Sequence, residues 1–179
     1  MSPGTYRSRV YVWSKNNYYF GPACVVPDSG SVTCDIDLPA TNLRVQVASS
    51  SGVVQTAGTA ILISANFDGY RFDGSWINAQ SAQAGIFDLN LINGNYTITA
   101  YPGSNQKLGK PQTFNITVES STVTSIKQSG STSNLTAASG IYTLTLASSP
   151  VAGTVVATDG TTPTPNSRVD LYNQQKICS

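Results

Sequence analysis

Cys24 and Cys34 are the first residues whose type and spacing point to chemistry. They flank the turn-rich stretch VVPDSGSV, and a hairpin register pairing Val26 with Val32 sets the two cysteines directly opposite. Cross-strand cysteines are close enough for a disulfide when the pair is of the non-hydrogen-bonded kind. The alternative is two reduced thiols on neighbouring strands. Cys178 has no evident partner and lies in the polar tail NQQKICS; pairing between chains is one reading of such a leftover thiol.

A second constellation occupies NFDGYRFDGSW, Asn66 to Trp76. Asn66, Asp68 and Asp73, with loop carbonyls, supply several of the roughly six to eight oxygens that calcium takes. Asp-Gly is equally the residue pair of a tight hairpin turn, which needs positive φ and no metal, and the turn is the preferred reading. Tyr70, Phe72 and Trp76 in the same stretch have faces that stack on sugar rings, which would make a carbohydrate site. Aromatic side chains in small sandwiches serve more often in core or inter-domain packing. Asn95, Asn115 and Asn134 each open an Asn-x-Thr glycosylation pattern. Asn95 and Asn115 flank the inward residues Tyr96, Phe114 and Ile116, so both are expected to face solvent.

Other chemistries lack their residues. The sequence has no histidine and a single glutamate, Glu119, which removes imidazole-based triads and His-ligated metals. The aspartates fall mostly in turns or on outward strand faces, a poor supply for the paired carboxylates of a glycosidase. Asp35 and Asp37 share one side of their strand, where solvation is the simpler reading. The expectation is a chain that is not an enzyme and uses no cofactor. Ten basic against nine acidic side chains leave no field to attract nucleic acid. No apolar run has the length of about 20 residues that spans a bilayer, and no export signal is read in this chain, although an extracellular or cell-surface location is expected.

The elements that position these residues repeat. GTYRSRVYVW from Gly4 returns 90 residues later as GNYTITAYPG from Gly94, and Asp35 to Ile63 aligns without a gap on Thr143 to Leu171, 108 residues on. The excess between the two registers falls in the polar stretch that includes KQSGSTSNLTAASG. Repetition at a fixed period marks arrays of supersecondary units. Residues 1–41 therefore read as the closing part of one β-sandwich repeat, 42–126 as a complete one, 127–147 as a Ser/Thr/Gly-rich connection and strand, and 148–179 as the opening part of another. Gln128 to Gly140 is expected to be a flexible connection with the reach to let partial units meet.

Within the complete unit, Leu43, Val45 and Val47 alternate, as do Ile61, Ile63 and Ala65; Phe87, Leu89 and Leu91; Tyr96, Ile98 and Ala100; and Phe114, Ile116 and Val118. Alternation of period two marks strands with one buried face. Asn66 to Trp76 reads as a turn-rich excursion, Asn93-Gly94 as a hairpin turn, and Val123 with Ile126 as the closing strand. About seven short strands in one unit give an all-β, antiparallel β-sandwich of the prealbumin- or immunoglobulin-like kind.

AGIFDLNLINGNYTITAY resembles the signature stretch of carboxypeptidase regulatory-like domains, in which a Gly-aromatic strand leads through a tight turn into a Gly-x-Tyr strand. VAGTVVATDGTTPTPNSRVDLYN is similar to that family's opening strands. The resemblance implies a prealbumin-like sandwich that accompanies catalytic or adhesive domains without being the catalyst. LRVQV at Leu43 to Val47 departs from it in lacking the usual glycine. The resulting expectation is a non-catalytic structural or adhesive segment of a stalk, surface array or filament, whose partner is itself, by head-to-tail strand exchange or through neighbouring repeats, with closure of the two partial units within one chain, or disordered ends, as the alternatives. A carbohydrate-binding accessory module and the spacer of a larger secreted hydrolase are the alternatives, with glycans as the other partner.

Overall fold

Leu43, Val45 and Val47 bury one side of a strand while Arg44 stays exposed, and the same alternation recurs from Phe87 to Leu91, Tyr96 to Ala100 and Phe114 to Val118. A computed structural model describes residues 2–12, 17–37, 40–67, 70–78, 85–103, 108–148 and 156–162. The chain divides into two compact units, Met1–Ser148 and Ser149–Ser179. Among the described residues there are ten strands and no helix: β1 (Gly4–Val12), β2 (Asn17–Val26), β3 (Leu43–Ala48), β4 (Ala60–Phe67), β5 (Tyr70–Asn78), β6 (Ile86–Leu89), β7 (Gly94–Tyr101), β8 (Gln112–Glu119), β9 (Thr122–Gln128) and β10 (Tyr142–Thr145).

In the first unit, a three-stranded sheet of order β10-β3-β6 faces a five-stranded sheet of order β5-β4-β7-β8-β9, and β1-β2 form a separate ribbon. Leu43, Val45, Val47, Phe87, Leu89 and Leu144 from the small sheet meet Ile61, Ile63, Tyr96, Ile98, Phe114, Ile116 and Ile126 from the large one in a single core. This is an all-β sandwich, and its pairings are antiparallel except that β10 runs parallel to β3. Each large inward side chain contributes roughly 1.5–3 kcal/mol by leaving water.

Three local readings change. Asn93-Gly94 is not a hairpin turn, because β6 belongs to the small sheet and β7 to the large one; the chain crosses between sheets there. Asn42 holds this crossing, with Nδ2 donating to Leu91 O (2.7 Å) and Ser121 O (3.0 Å) while Leu91 N donates to Oδ1 (2.9 Å). The real tight turn is Ser120-Ser121 between β8 and β9, with φ of 48° and 60°. Two successive positive φ values are costly for residues with a Cβ, and Asn93 Oδ1 offsets the cost by accepting from Ser121 N at 2.8 Å.

Asn66 to Trp76 is likewise no loose excursion. β4 and β5 pair along their whole length, with Phe67 opposite Tyr70. The pairing steps from Ile63–Ser75 to Ala65–Phe72, so Asp73 and Gly74 oppose Ser64 alone and the second Asp-Gly marks a β-bulge.

Gln128 to Gly140 is not a free tether. Leu135 N donates to Ile126 O (2.8 Å), Ser125 Oγ donates to Asn134 Oδ1 (2.8 Å), and Ala138 and Ile141 exchange both backbone bonds. This stretch delivers β10 to the far sheet, where Leu144 and Leu146 are fully buried. A glycine is required at one close approach: Gly85 has φ of 74°, and a Cβ there would meet Gln55 O at 2.3 Å.

In the second unit the described residues form one turn. Gly160 N donates to Ala157 O (2.9 Å), with φ of 72° at Gly160. The aligned Gly52, 108 residues earlier, donates to Ser49 O (2.8 Å) with φ of 85°.

Replacing Asn42 by Ala strands three backbone groups at the crossing. The variant should lose about 2 kcal/mol in urea unfolding, since the two Leu91 groups are partly buried and each costs of order 1 kcal/mol when unpaired, while the exposed Ser121 O turns to water. A loss under about 0.5 kcal/mol, the range of ordinary surface changes, would mean that the crossing is fixed by packing alone.

Candidate functional site

The β1-β2 ribbon repeats the β7-β8 pair from Gly4 to Arg7, beyond which its register shifts by one residue on β2 before Arg9 pairs with Phe20, a step that β7-β8 lacks. Gly4 pairs with Val26 and Tyr6 with Cys24, as Gly94 pairs with Val118 and Tyr96 with Ile116. Gly4 and Gly94 have φ of 152° and 151°. Tyr6 donates its hydroxyl proton to Ser2 O (2.7 Å) and Tyr96 to Ile92 O (2.8 Å), in both cases to the carbonyl four residues upstream. A tyrosine bonded back in this way pins the entry to a strand at a sandwich corner.

What differs is the cover. Tyr96 is 2% exposed beneath the small sheet, whereas Tyr6 is 36% exposed. Burial accordingly raises the Tyr96 phenol far above its ordinary pKa, against the opposing hydrogen bond to Ile92 and the charge of Arg7.

Cys24 and Cys34 are joined by a disulfide with Cα atoms 5.8 Å apart. The strand partner of Cys24 is β1, and residues 27–37 return without regular pairing. The bridge therefore takes the place of a ladder between β2 and the returning arm. In the large sheet the corresponding cross-strand pair is Ile116 opposite Ile126, both buried. Further along the arm, Ile36 is 41% exposed and reaches over Gly21 beside Ser8. Ser8 Oγ is buried with no hydrogen-bond partner among the described residues.

Where the ribbon meets the sandwich, aromatic residues make the joint. Phe20 is buried, with its ring 5.0 Å from Phe72 and 6.3 Å from Tyr96. Tyr19 is buried too, and its pKa is raised by burial and then by the negative charge of Asp88. Tilted rings at these distances suit the aromatic quadrupole.

The remaining sequence-derived sites are described only in part. Asn66 sits exposed at the end of β4; Asp68 lies outside the described residues, as does the side chain of Asp73. Among the described residues no cluster of three acidic or Cys side chains is placed to hold a metal. Asp35 and Asp37 are exposed. Of the proposed sugar-stacking residues, Phe72 packs against the core at the Phe20 joint, and the side chains of Tyr70 and Trp76 lie outside the described residues. Cys178 also lies outside them.

Asn95 and Asn115 are exposed, and they line a shallow groove of about 650 Å³ with Leu62, Ser64, Thr97 and Thr99 on the outer side of the large sheet. Thr117 Oγ1 donates to Asn95 Oδ1 at 3.1 Å. Asn134 is exposed but engaged by Ser125. Sequence reasoning missed Asn42 and Asn93, whose roles depend on partners distant in the chain.

In the second unit, Asp159 accepts hydrogen bonds from the Thr162 hydroxyl and from Thr162 N (2.8 Å) and Thr161 N (2.9 Å). These bonds hold its carboxyl down at about 2. No known family model, curated protein or solved structure matches the chain.

Two outcomes follow. A Cys24→Ser/Cys34→Ser variant should lose about 3 kcal/mol of protection in the ribbon, the value expected for a bridged loop of this length, while β7-β8 amides keep theirs in hydrogen exchange. Equal losses in both would mean that the bridge stabilises the sandwich as a whole. For Asp159 the folded pKa is below the unfolded one, so its contribution to the turn is full above about pH 4 and vanishes as pH falls through about 2. NMR titration of the carboxyl checks this, and a midpoint at the ordinary 3.8 would remove the Thr161–Thr162 bonds from the account.

Proposed function

We propose that the chain is a non-catalytic structural segment of an extracellular β-sandwich array, with one complete unit preceded by the closing strands of another and followed by the opening strands of a third. The observation that carries this reading is the duplicated tyrosine corner: the same glycine conformation, register and four-residue tyrosine bond recur at Gly4–Tyr6 and Gly94–Tyr96. The matched turns at Gly52 and Gly160 support the same spacing at the other end. Units strung in this way act through reach and spacing, each contributing its own core and a contact to its neighbour. The Phe20–Phe72 joint is the natural candidate for that contact.

The likeness to carboxypeptidase regulatory-like domains adds a prealbumin-like unit to the proposal, and its signature falls on β6 and β7. A disulfide is compatible with the oxidising surroundings of secreted proteins. Carbohydrate binding is the rival reading; what favours it is the Asn- and Thr-lined groove on the outer sheet face, whose polar groups suit sugar hydroxyls.

Paired substitutions test the array reading. Tyr96→Phe should cost about 1–2 kcal/mol, because a buried carbonyl loses its partner, and Tyr6→Phe under about 0.5 kcal/mol, because its corner is open to water. Equal costs would count against one corner being covered and the other not. A glycan array should stay blank; saturable binding abolished by Asn115→Ala would transfer the assignment to the carbohydrate reading.

A further inference from the structure

The ribbon keeps the inner face of a sandwich without a covering sheet among the described residues. Tyr6 and Ile36 stand 36% and 41% exposed beside the disulfide, where the large sheet has buried Tyr96, Ile116 and Ile126. The β1 edge is also open: β7 is paired on one side by β8 and on the other by β4, but β1 is paired only by β2 among the described residues. We propose that this open face and edge accept the opening strands of a second copy of the chain, supplied by its residues 151–171. The proposal rests on the array reading and adds the partner and the register.

The register follows from the complete unit. There, Ile63 pairs with Ile98 and Ile61 with Ala100, and Leu62 is opposite Thr99. Carrying β4 forward by 108 residues and β7 back by 90 sets Leu171 opposite Ser8, Val169 opposite Val10, and Asp170 opposite Arg9. Val151 and Val155 take the positions of the buried Leu43 and Val47.

Two features favour this occupant over an unrelated strand. Four of its five inward positions, 151, 155, 169 and 171, carry apolar side chains and the fifth, 153, is glycine, and Asp170 stands opposite Arg9 with opposite charge across the new pair. Residues 151–155 and 163–171 lie outside the described residues and enter by sequence alone. Backbone pairing at a free edge supplies affinity, and the alternate side chains supply selection. Because acceptor and donor are different surfaces, the contact is heterologous and propagates from copy to copy.

Sedimentation velocity of the full chain tests this with Ile36→Asp, which spoils the acceptor, and Leu171→Asp, which spoils the donor. The wild type should form extended oligomers at about 100 μM, a concentration that nearly saturates a micromolar contact. Each variant alone should stay monomeric with an unchanged circular dichroism spectrum, and an equal mixture should stop at dimers, joined by the one intact acceptor and the one intact donor. Arg9→Asp combined with Asp170→Arg should restore oligomers that either single change weakens. A monomeric wild type, a mixture without dimers, or oligomers of Leu171→Asp would each overturn the proposal.

Synthetic peptides of residues 150–172 and 42–67, added to the full chain, separate the two levels. Binding of the second peptide alone would overturn this partner and leave the array reading standing. Binding of neither would bring down both.

Discussion

Everything in the sandwich depends on the crossing between β6 and β7. Within five residues the chain must leave the small sheet, enter the large one and keep both inward stripes facing a common core. Backbone groups at such a corner have no ladder to satisfy them. Asn42 fills that role with three bonds, the Tyr96 hydroxyl satisfies Ile92 O, and Asn93 reaches the neighbouring turn. Once the corner is fixed, Leu89 and Leu91 on one side and Tyr96 and Ile98 on the other can bury together. The same corner at Tyr6 shows that the device is local: it forms even where Tyr6 is 36% exposed and no second sheet lies over it among the described residues.

The Cys24–Cys34 bridge fits this picture. A face without cover gains little from apolar burial, since an isoleucine pair left in water contributes almost nothing of what Ile116 and Ile126 contribute. A covalent link acts mainly by limiting the unfolded arm, so it stabilises a ribbon whether or not anything covers it. The Arg44–Asp88 pair contributes far less. Its atoms are 2.8 Å apart, but both side chains are about half exposed, and exposed pairs are screened.

Strands with one buried face were legible in the sequence because their period is two: β3, β7 and β8 were read from Leu43–Val47, Tyr96–Ala100 and Phe114–Val118. The disulfide was legible from the spacing of its cysteines, although the ladder imagined around it is absent. What failed were the places where local turn chemistry yields to tertiary structure. Asn93-Gly94 carries a hairpin signal but joins two sheets; Ser120-Ser121 carries none but forms the hairpin, held by side chains from elsewhere. The second Asp-Gly marks a bulge inside β5. β10 has only four residues and pairs in parallel with a strand almost a hundred positions earlier, which no window along the chain reveals. Asn66 and Phe72, read as parts of a turn-rich excursion, belong to the long β4-β5 hairpin.

The parallel placement of β10 also bears on how the protein is made. β3 leaves the ribosome long before the strand that closes its edge, and at roughly 5–20 residues per second the wait is on the order of 5–20 s. During that interval an open edge waits for a partner, and in the array proposed above the wrong neighbour's strand would be available first. Sequence divergence between neighbours then protects against exchange during synthesis. A serine stands at Ser8 where β7 has Ile98, and cysteines stand where β8 and β9 have Ile116 and Ile126, so in the proposed array a strand that suits one unit would be a poor substitute in the next.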